Sequence, residues 1–316
     1  MNIGLDVMGG DFAPEATLKG ALLARHLISD TDRIVLFGDR DLIADFLQGE
    51  KADPESFDII HSEEVIGMSE HPLRAYTQKT KSSISRGFKM LKSAEIDTYA
   101  SAGNSGAMMV GSMYSVKNIP GIIRPCTAAT LPKENGGISI LLDIGTNPDP
   151  KPDVLYQFAI LGSVYARQVH NIENPRVGLL NIGEEKEKGN LLMQHTHQMM
   201  EDTRDFNFCG NVEGRDLLND KADVIVCDGF TGNVVLKQIE SMHQLMIRRG
   251  LNDEFVKRLN YENFGGTPIL GVNKPVILGH GISSPEAIKK MILLSKEIFE
   301  AKLSEKIENT LSKYPS

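Results

Sequence analysis

Several function classes lack their signature in this chain. Among 316 residues there are only three cysteines, Cys126, Cys209 and Cys227, an odd and unclustered set. A disulfide framework and a structural zinc site are not expected, and a reducing, cytoplasmic setting is the default. No apolar run reaches the ~18 residues a transmembrane helix needs. The start, Met1-Asn2-Ile3-Gly4-Leu5-Asp6, has no basic residue and no long apolar centre, so a signal peptide is not expected. Basic residues are the minority, 34 against 42 acidic, giving a net charge of −8. Nucleic-acid binding draws its affinity from Lys and Arg and is therefore not expected. No G-x-G-x-x-G follows a candidate strand and no G-x-x-x-x-G-K-[ST] occurs. The nicotinamide-dinucleotide fingerprint and the Walker-type loop are both missing.

What is present is enough apolar material for a sizeable core, 41% hydrophobic against 24% charged. Candidate strands lie at 3–7, 34–37, 57–61, 98–101, 138–143, 177–182, 206–212, 224–228 and 276–278. Most are continuous Ile/Val/Leu runs, as expected of strands covered on both faces. Amphipathic helices are predicted at 14–28, 82–93 and 154–169, and a long C-terminal helix opens at Ser284-Pro285-Glu286. Alternating β and α elements predict a doubly wound, mostly parallel sheet, read as one domain over 1–316. Glycine is in excess, 29 residues or about 9% against a usual ~7%. The glycines cluster with Asn and Asp just after strands: Asp6-Val7-Met8-Gly9-Gly10-Asp11, Gly103-Asn104-Ser105-Gly106, Gly145-Thr146-Asn147, Gly183, Gly210-Asn211-Val212-Glu213-Gly214, Asp228-Gly229-Phe230-Thr231-Gly232-Asn233 and Gly279-His280-Gly281. Any one could be turn chemistry. Together they mark the strand-end edge where open parallel sheets bind ligands.

Nucleophile and metal signatures are weak. Gly103-Asn104-Ser105-Gly106 is one residue short of G-x-S-x-G, and Ser105 earns no credit as a nucleophile. His195 and His197, two apart on a helix, point away from each other and read as solvated surface. Cys126 has no neighbouring His and reads as a packed thiol. Anion chemistry remains. The 103–106 loop opens a helical stretch, where backbone N–H groups can meet an anion and Asn104 and Ser105 can add donors. From 71 to 133 there are nine basic and two acidic residues, a local +7 that leaves −15 for the remainder. That segment is either a solvated Lys-rich face or a means of attracting an anionic substrate or acidic partner.

Taken in order, these loops resemble the phosphate acyltransferases of bacterial phospholipid synthesis. The likeness runs from Ile3-Gly4-Leu5-Asp6-Val7-Met8-Gly9-Gly10-Asp11 through Ser101-Ala102-Gly103-Asn104-Ser105-Gly106-Ala107, Leu141-Leu142-Asp143-Ile144-Gly145 and Pro175-Arg176-Val177-Gly178-Leu179-Leu180-Asn181-Ile182-Gly183. It continues through Lys188-Gly189-Asn190, Gly210-Asn211-Val212-Glu213-Gly214-Arg215-Asp216, Asp228-Gly229-Phe230-Thr231-Gly232-Asn233-Val234, Gly265-Gly266 and His280-Gly281. The resemblance implies an α/β/α sandwich similar to phosphotransacetylases and isopropylmalate-dehydrogenase-like proteins. It implies reversible transfer of a long-chain acyl group from an acyl-carrier-protein thioester to inorganic phosphate, with no metal or organic cofactor. It also implies a cytoplasmic homodimer, peripheral membrane association, and a membrane glycerol-3-phosphate acyltransferase downstream. Two departures stand out. Lys79-Thr80-Lys81-Ser82-Ser83 carries Lys81 where the family has an acid, and the stretch between Lys237 and Gly265 looks shortened. A helical protrusion at 237–264, with Ile239, Met242, Leu245, Met246 and Arg249 near one face, is expected at the dimer interface.

Such a reaction places two anions together and needs donors for the thioester oxygen; a phosphate dianion needs no strong base, and a thiol leaves readily. Placement is worth ~7–11 kcal/mol, and one oxyanion donor ~10²–10³ in rate. Lys188 and Asn233 are expected as the catalytic polar groups, although Lys188 also lies in the charge run Glu184-Glu185-Lys186-Glu187-Lys188. Phosphate and substrate binding is expected of Gly103, Asn104, Ser105 and Gly106, with Asp6, Gly9, Gly10, Asn147, Asp228 and His280 at neighbouring loops. Each Asp either contacts substrate or Lys188, or staples its loop. Carrier docking is expected on Lys79, Lys81, Arg86, Lys89 and Lys92. Rival readings are a phosphotransacetylase using acyl-coenzyme A, a nicotinamide dehydrogenase of similar architecture, and a non-catalytic acyl-ligand-binding dimer.

Overall fold

In the computed structural model, which describes residues 1–312, every apolar run expected as a strand is one. In chain order the strands are β1 (Asn2–Asp6), β2 (Arg33–Gly38), β3 (Phe57–His61), β4 (Thr98–Ser101), β5 (Cys126–Pro132), β6 (Ile138–Leu142), β7 (Arg176–Leu180), β8 (Asn207–Val212), β9 (Val224–Val226), β10 (Thr267–Leu270) and β11 (Val276–Leu278). Two of them, β5 and β10, lie outside the expected runs. Cys126-Thr127-Ala128-Ala129-Thr130 is built of short side chains, and Pro268 removes a ladder donor from β10.

The chain expected as one domain divides into two units: Met1–Asn118 with Glu262–Ser304, and Ile119–Tyr261 with the residues from Glu305 on. In the first unit the strand order is β3-β2-β1-β4-β11-β10, parallel except for β10 against β11. The chain moves outward from β1 through β2 to β3 and returns to β4 on the other side of β1. The direction of winding therefore switches between β1 and β4, the crevice where such sheets bind ligands. Ile3, Gly4, Leu5 and Asp6 are all buried, and so are all four residues of β4. Because successive side chains point to opposite faces, both faces of these strands are covered. The helices Ser83–Lys92 and Pro285–Glu300 contribute to that cover. On the first helix Phe88 meets Tyr99 edge to face at 5.4 Å, and Tyr99 meets Phe37 likewise at 5.4 Å.

The second unit has the order β5-β6-β9-β7-β8, parallel except for β5 against β6. Its core joins Leu141, Leu180, Val212 and Ile225 to Val235, Leu236 and Ile239 of the helix Gly229–Arg248. Where β7 and β9 begin, Lys133 Nζ lies 2.5 Å from Asp223 and 2.9 Å from Asp220, and Arg176 reaches both carboxylates. Burial pushes the Asp223 carboxyl up, but hydrogen bonds from Arg176 and Lys133 outweigh it and hold the group below its usual range.

Helix starts follow their caps: Ser82 accepts from Ser85 N at 3.2 Å and Ser284 from Ala287 N at 3.3 Å. The expected long C-terminal helix is two, Pro285–Glu300 and Leu303–Leu311, broken where Lys302 takes φ 52°. The 237–264 stretch holds the end of Gly229–Arg248, a short helix Glu254–Arg258 and a 3₁₀ turn Tyr261–Phe264. Its expected apolar stripe divides, with Ile239 on the core and Met242 and Leu245 exposed. No helix among the described residues is long and apolar enough to cross a membrane.

Candidate active-site loops

At the switch point of the first unit, one carboxylate ties two strand-end loops together. Asp6, at the end of β1, is 1% exposed. Its Oδ1 accepts from Met8 N at 3.0 Å, and its Oδ2 accepts from Ser101 Oγ at 2.6 Å at the end of β4. The same Ser101 Oγ accepts from Gly103 N at 2.9 Å. Burial pushes the Asp6 carboxyl above its usual range, against the opposing pull of bonds from Ser101, Ser83, Met8 and Gly9. The two loops pass so close that a Cβ on Gly9 would stand 2.5 Å from Asp6 Oδ2 and 2.6 Å from Gly103 N. Glycine is required there by space alone. The third loop is joined on by Asp11 N donating to Gly281 O at 2.7 Å and Gly279 N donating to Ser101 O at 2.8 Å. Gly10 and His280 lie in these joined loops, and Ile282 N approaches His280 Nδ1 at 3.4 Å.

Asn104 departs from its expected role as a phosphate donor. Its Nδ2 donates to the carbonyls of Gly67, Met68 and Glu70, and its Oδ1 caps Ala107 N at 2.9 Å. The amide is fully engaged in holding the 67–70 segment against the helix Ser105–Gly111. What stays presentable to an anion is the exposed Ser105 and the amides of Ser105 and Gly106 at the helix start.

In the second unit the corresponding hub is Asp143, at the end of β6 and 0% exposed. It accepts six hydrogen bonds: from Thr127 N and Oγ1, Ile144 N, Thr146 N, and Asn147 N and Nδ2. In the sequence Asp143 is a lone acid after an apolar run, and nothing there signals six donors. Asn147 spends its other amide proton on Pro125 O at 2.9 Å. The helix Gly229–Arg248 rests on this loop, since a Cβ on Gly232 would stand 1.9 Å from Asp143 O. Asp228 caps that helix, accepting from Thr231 N at 2.8 Å and Thr231 Oγ1 at 2.7 Å. Asp6, Asn147 and Asp228 thus staple their loops, and none of them receives a bond from Lys188. Asn233, one helical turn on, is half-buried; its side chain makes no hydrogen bond among the described residues and stands 3.7–3.8 Å from where a Cβ on Gly145 would be.

Lys188 sits in the loop after β7 and is exposed. Within its charge run, Lys186 pairs with Glu201, and Glu184 with Lys221 at 2.6 Å. Lys188 Nζ makes no ion pair or hydrogen bond among the described residues. β6, β9 and β7 run parallel side by side, so the loops of Asn147, Asp228 and Lys188 leave the same edge of this unit.

The basic segment is less positive than its composition. Lys79 pairs with Glu70 at 2.5 Å, Lys81 with Glu63 at 2.7 Å and Arg86 with Glu63 at 3.6 Å, while Lys133 is buried between Asp220 and Asp223. Lys89 and Lys92, both exposed on the helix Ser83–Lys92, have no such partner among the described residues. Of the two histidines expected at the surface, His195 is exposed but His197 is buried, with Nδ1 2.9 Å from Asn211 Oδ1. Cys126 and Cys227 are buried, and burial pushes both thiols well up, the opposite of an activated nucleophile. Among the described residues no three His, Cys, Asp or Glu side chains gather as metal ligands.

The family whose sequence profile matches is described as fatty acid synthesis protein, over residues 1–306. The chain is 40% identical to a phosphate acyltransferase of Dictyoglomus turgidum, covering 99% of this chain and 98% of that one. It is 39% identical to a phosphate acyltransferase of Bacillus cereus, covering 99% of each. Among solved structures, a phosphotransacetylase from Streptococcus pyogenes superposes with a TM-score of 0.65 at 16% identity, over 96% of this chain and 94% of that one. The EutD phosphotransacetylase from Staphylococcus aureus gives 0.64 at 15% identity, over 95% and 94%. These two likenesses speak for the fold.

Proposed function

The chain belongs to the phosphate acyltransferase family and is an acyltransferase, and from that premise we propose that it moves a long-chain acyl group reversibly from an acyl-carrier-protein thioester to inorganic phosphate. The product is an acyl phosphate for phospholipid synthesis. A phosphate oxygen attacks the thioester carbonyl, the carbon–oxygen bond forms as the carbonyl oxygen becomes an oxyanion, and the carbon–sulfur bond then breaks to release the carrier thiol. No acyl-enzyme is needed, and neither buried thiol is suited to form one.

The roles follow from which polar groups are still uncommitted. Phosphate binding belongs to the Ser105 hydroxyl and the amides of Ser105 and Gly106, on a loop pinned by Asp6 and Ser101. Charge developing on phosphate or on the oxyanion belongs to Lys188, and orientation of the reacting oxygen to Asn233. The observation that carries this reading is the Lys188 ammonium, without a partner among the described residues, in a run where Lys186 and Glu184 have both found partners. Asp6, Asn147 and Asp228 act by holding these loops.

The carrier, an acidic protein, docks on Lys89 and Lys92. Lys79, Lys81 and Arg86 contribute less because each must first leave a carboxylate. The protein works in the cytoplasm as a homodimer that includes the 237–264 helices, peripheral to the membrane where a glycerol-3-phosphate acyltransferase takes its product. The test is to incubate the purified protein with palmitoyl-carrier and labelled phosphate and to look for phosphate-dependent acyl phosphate. A parallel reaction with palmitoyl-coenzyme A at the same limiting concentration decides the donor. Faster reaction of the coenzyme A ester would overturn the carrier assignment, and no acyl phosphate from either donor would overturn the reaction.

A further inference from the structure

The loop that carries Lys188 is held by three side-chain amides. Asn181 Nδ2 donates to Lys188 O at 3.1 Å, Gln194 Nε2 donates to Glu187 O at 2.8 Å and Gly189 O at 3.0 Å, and Asn211 Nδ2 donates to Glu185 O at 2.9 Å. That Glu185 carbonyl also receives the Lys188 backbone N–H, at 3.1 Å. Asn181 and Gln194 are half-buried, whereas Asn211, in β8, is only 2% exposed. Its orientation is settled by chemistry. A backbone carbonyl can only accept, so the amide nitrogen must face Glu185, and Oδ1 then faces His197 Nδ1, 2.9 Å away. His197 Nδ1 must therefore carry a proton, as it does in one neutral tautomer and in the imidazolium alike. The imidazole is packed edge-on against Phe208 at 5.2 Å. A buried imidazole and a buried amide thus form one line, His197 to Asn211 to Glu185 O, that ends on the carbonyl bonded to the Lys188 amide.

We propose that Asn211, oriented by His197, is a positioning residue for Lys188; this rests on the catalytic role given to Lys188 above. The line fixes the backbone from which the ammonium reaches, and reactions of this kind lose about 100-fold in rate for an ångström of misplacement. In Asn211→Asp the acceptor for His197 is kept, but a carboxylate oxygen now faces Glu185 O. In protein that keeps its helical circular dichroism, kcat should fall roughly 10- to 100-fold. In a Lys188→Ala background the same change should cost nothing further, because the residue acts only through Lys188. His197→Asn, whose amide nitrogen can stand where Nδ1 stands, should keep near wild-type kcat, while His197→Leu should lose it as Asn211→Asp does. This histidine pair carries the test should Asn211→Asp fail to fold. Amide hydrogen exchange gives a readout apart from activity: Lys188 N–H should exchange faster in Asn211→Asp while the β9 amides stay protected.

Wild-type turnover by Asn211→Asp, a full additive loss on top of Lys188→Ala, or unchanged Lys188 exchange would each overturn the inference. Wild-type turnover by Lys188→Ala is a different result. It removes the assigned role of Lys188, and with it the functional part of this inference, while the exchange measurement still decides whether Asn211 holds the loop.

Discussion

Replacing Ser101 by Ala should uncouple the loops at the β1/β4 switch point. The Ser101 hydroxyl makes two buried bonds at once, donating to Asp6 Oδ2 at 2.6 Å and accepting from Gly103 N at 2.9 Å, with the residue 1% exposed. A hydrogen bond to a charged group contributes about 1.5–3 kcal/mol, and a buried amide left without a partner costs about 1–3 kcal/mol. Alanine changes little volume, so the loss should be about 3–5 kcal/mol. At common urea slopes this lowers the unfolding midpoint by about 1–2 M. The effect should grow from acid to neutral pH. Burial already raises the folded-state pKa of Asp6, and removing one of the bonds that oppose burial raises it further. A carboxyl with a raised folded pKa costs nothing below its unfolded pKa, about 3.9, and its cost grows as pH rises through the folded value, then levels. The gap between wild type and Ser101→Ala should therefore be smaller near pH 4 than at neutral pH. The chain has no tryptophan, so urea titrations followed by circular dichroism at both pH values provide the assay. Equal midpoints, or a gap that widens towards acid, would refute the argument.

Other expectations follow from the same geometry. Lys188→Ala should reduce kcat at saturating phosphate by about 10²–10³ without lowering the melting temperature, because its ammonium has no partner among the described residues; wild-type turnover would remove it from the chemistry. Lys89→Glu with Lys92→Glu should raise KM for the carrier thioester and flatten its salt dependence, while KM for a coenzyme A thioester moves little. Lys81→Glu, whose ammonium already serves Glu63, should do less, and equal effects would put docking elsewhere. Burial holds His170 at a pKa of about 4. A base with a lowered folded pKa weakens the fold as pH drops below its unfolded value near 6.5, so going from pH 7 to 5 should cost about 2 kcal/mol at this residue. His170→Leu should remove that part of the acid sensitivity, and an unchanged slope of stability with pH would contradict it.

Much of the scaffold was legible in the sequence because the parallel strands bury both faces. Ile138–Leu142 is apolar but for Ser139 and Val224–Val226 is apolar throughout, and the loops after them are polar. The antiparallel β5 was not, since Thr127 and Thr130 flank a pair of alanines and give no apolar run. Within the loops, residue types were readable but their commitments were not. Asn104 looks like a donor for phosphate until the carbonyls of Gly67, Met68 and Glu70 arrive from a segment some 35 residues away. The excess charge of the basic segment was also an artefact of distance along the chain. Lys133 finds Asp223 ninety positions later, and Lys81 finds Glu63 eighteen earlier. His197 shows the same limit: spacing placed it opposite His195 on the helix, but only β8 decides which side is buried.

Whether phosphate itself takes the acyl group from the thioester is decided by labelling the phosphate. Purified protein is given palmitoyl-carrier with ³²P-labelled phosphate, and the acyl phosphate formed is followed against phosphate concentration. Label should enter acyl phosphate at a rate that saturates with phosphate, with one carrier thiol released per acyl phosphate made. Thiol release that is independent of phosphate, or the absence of labelled acyl phosphate, would contradict it.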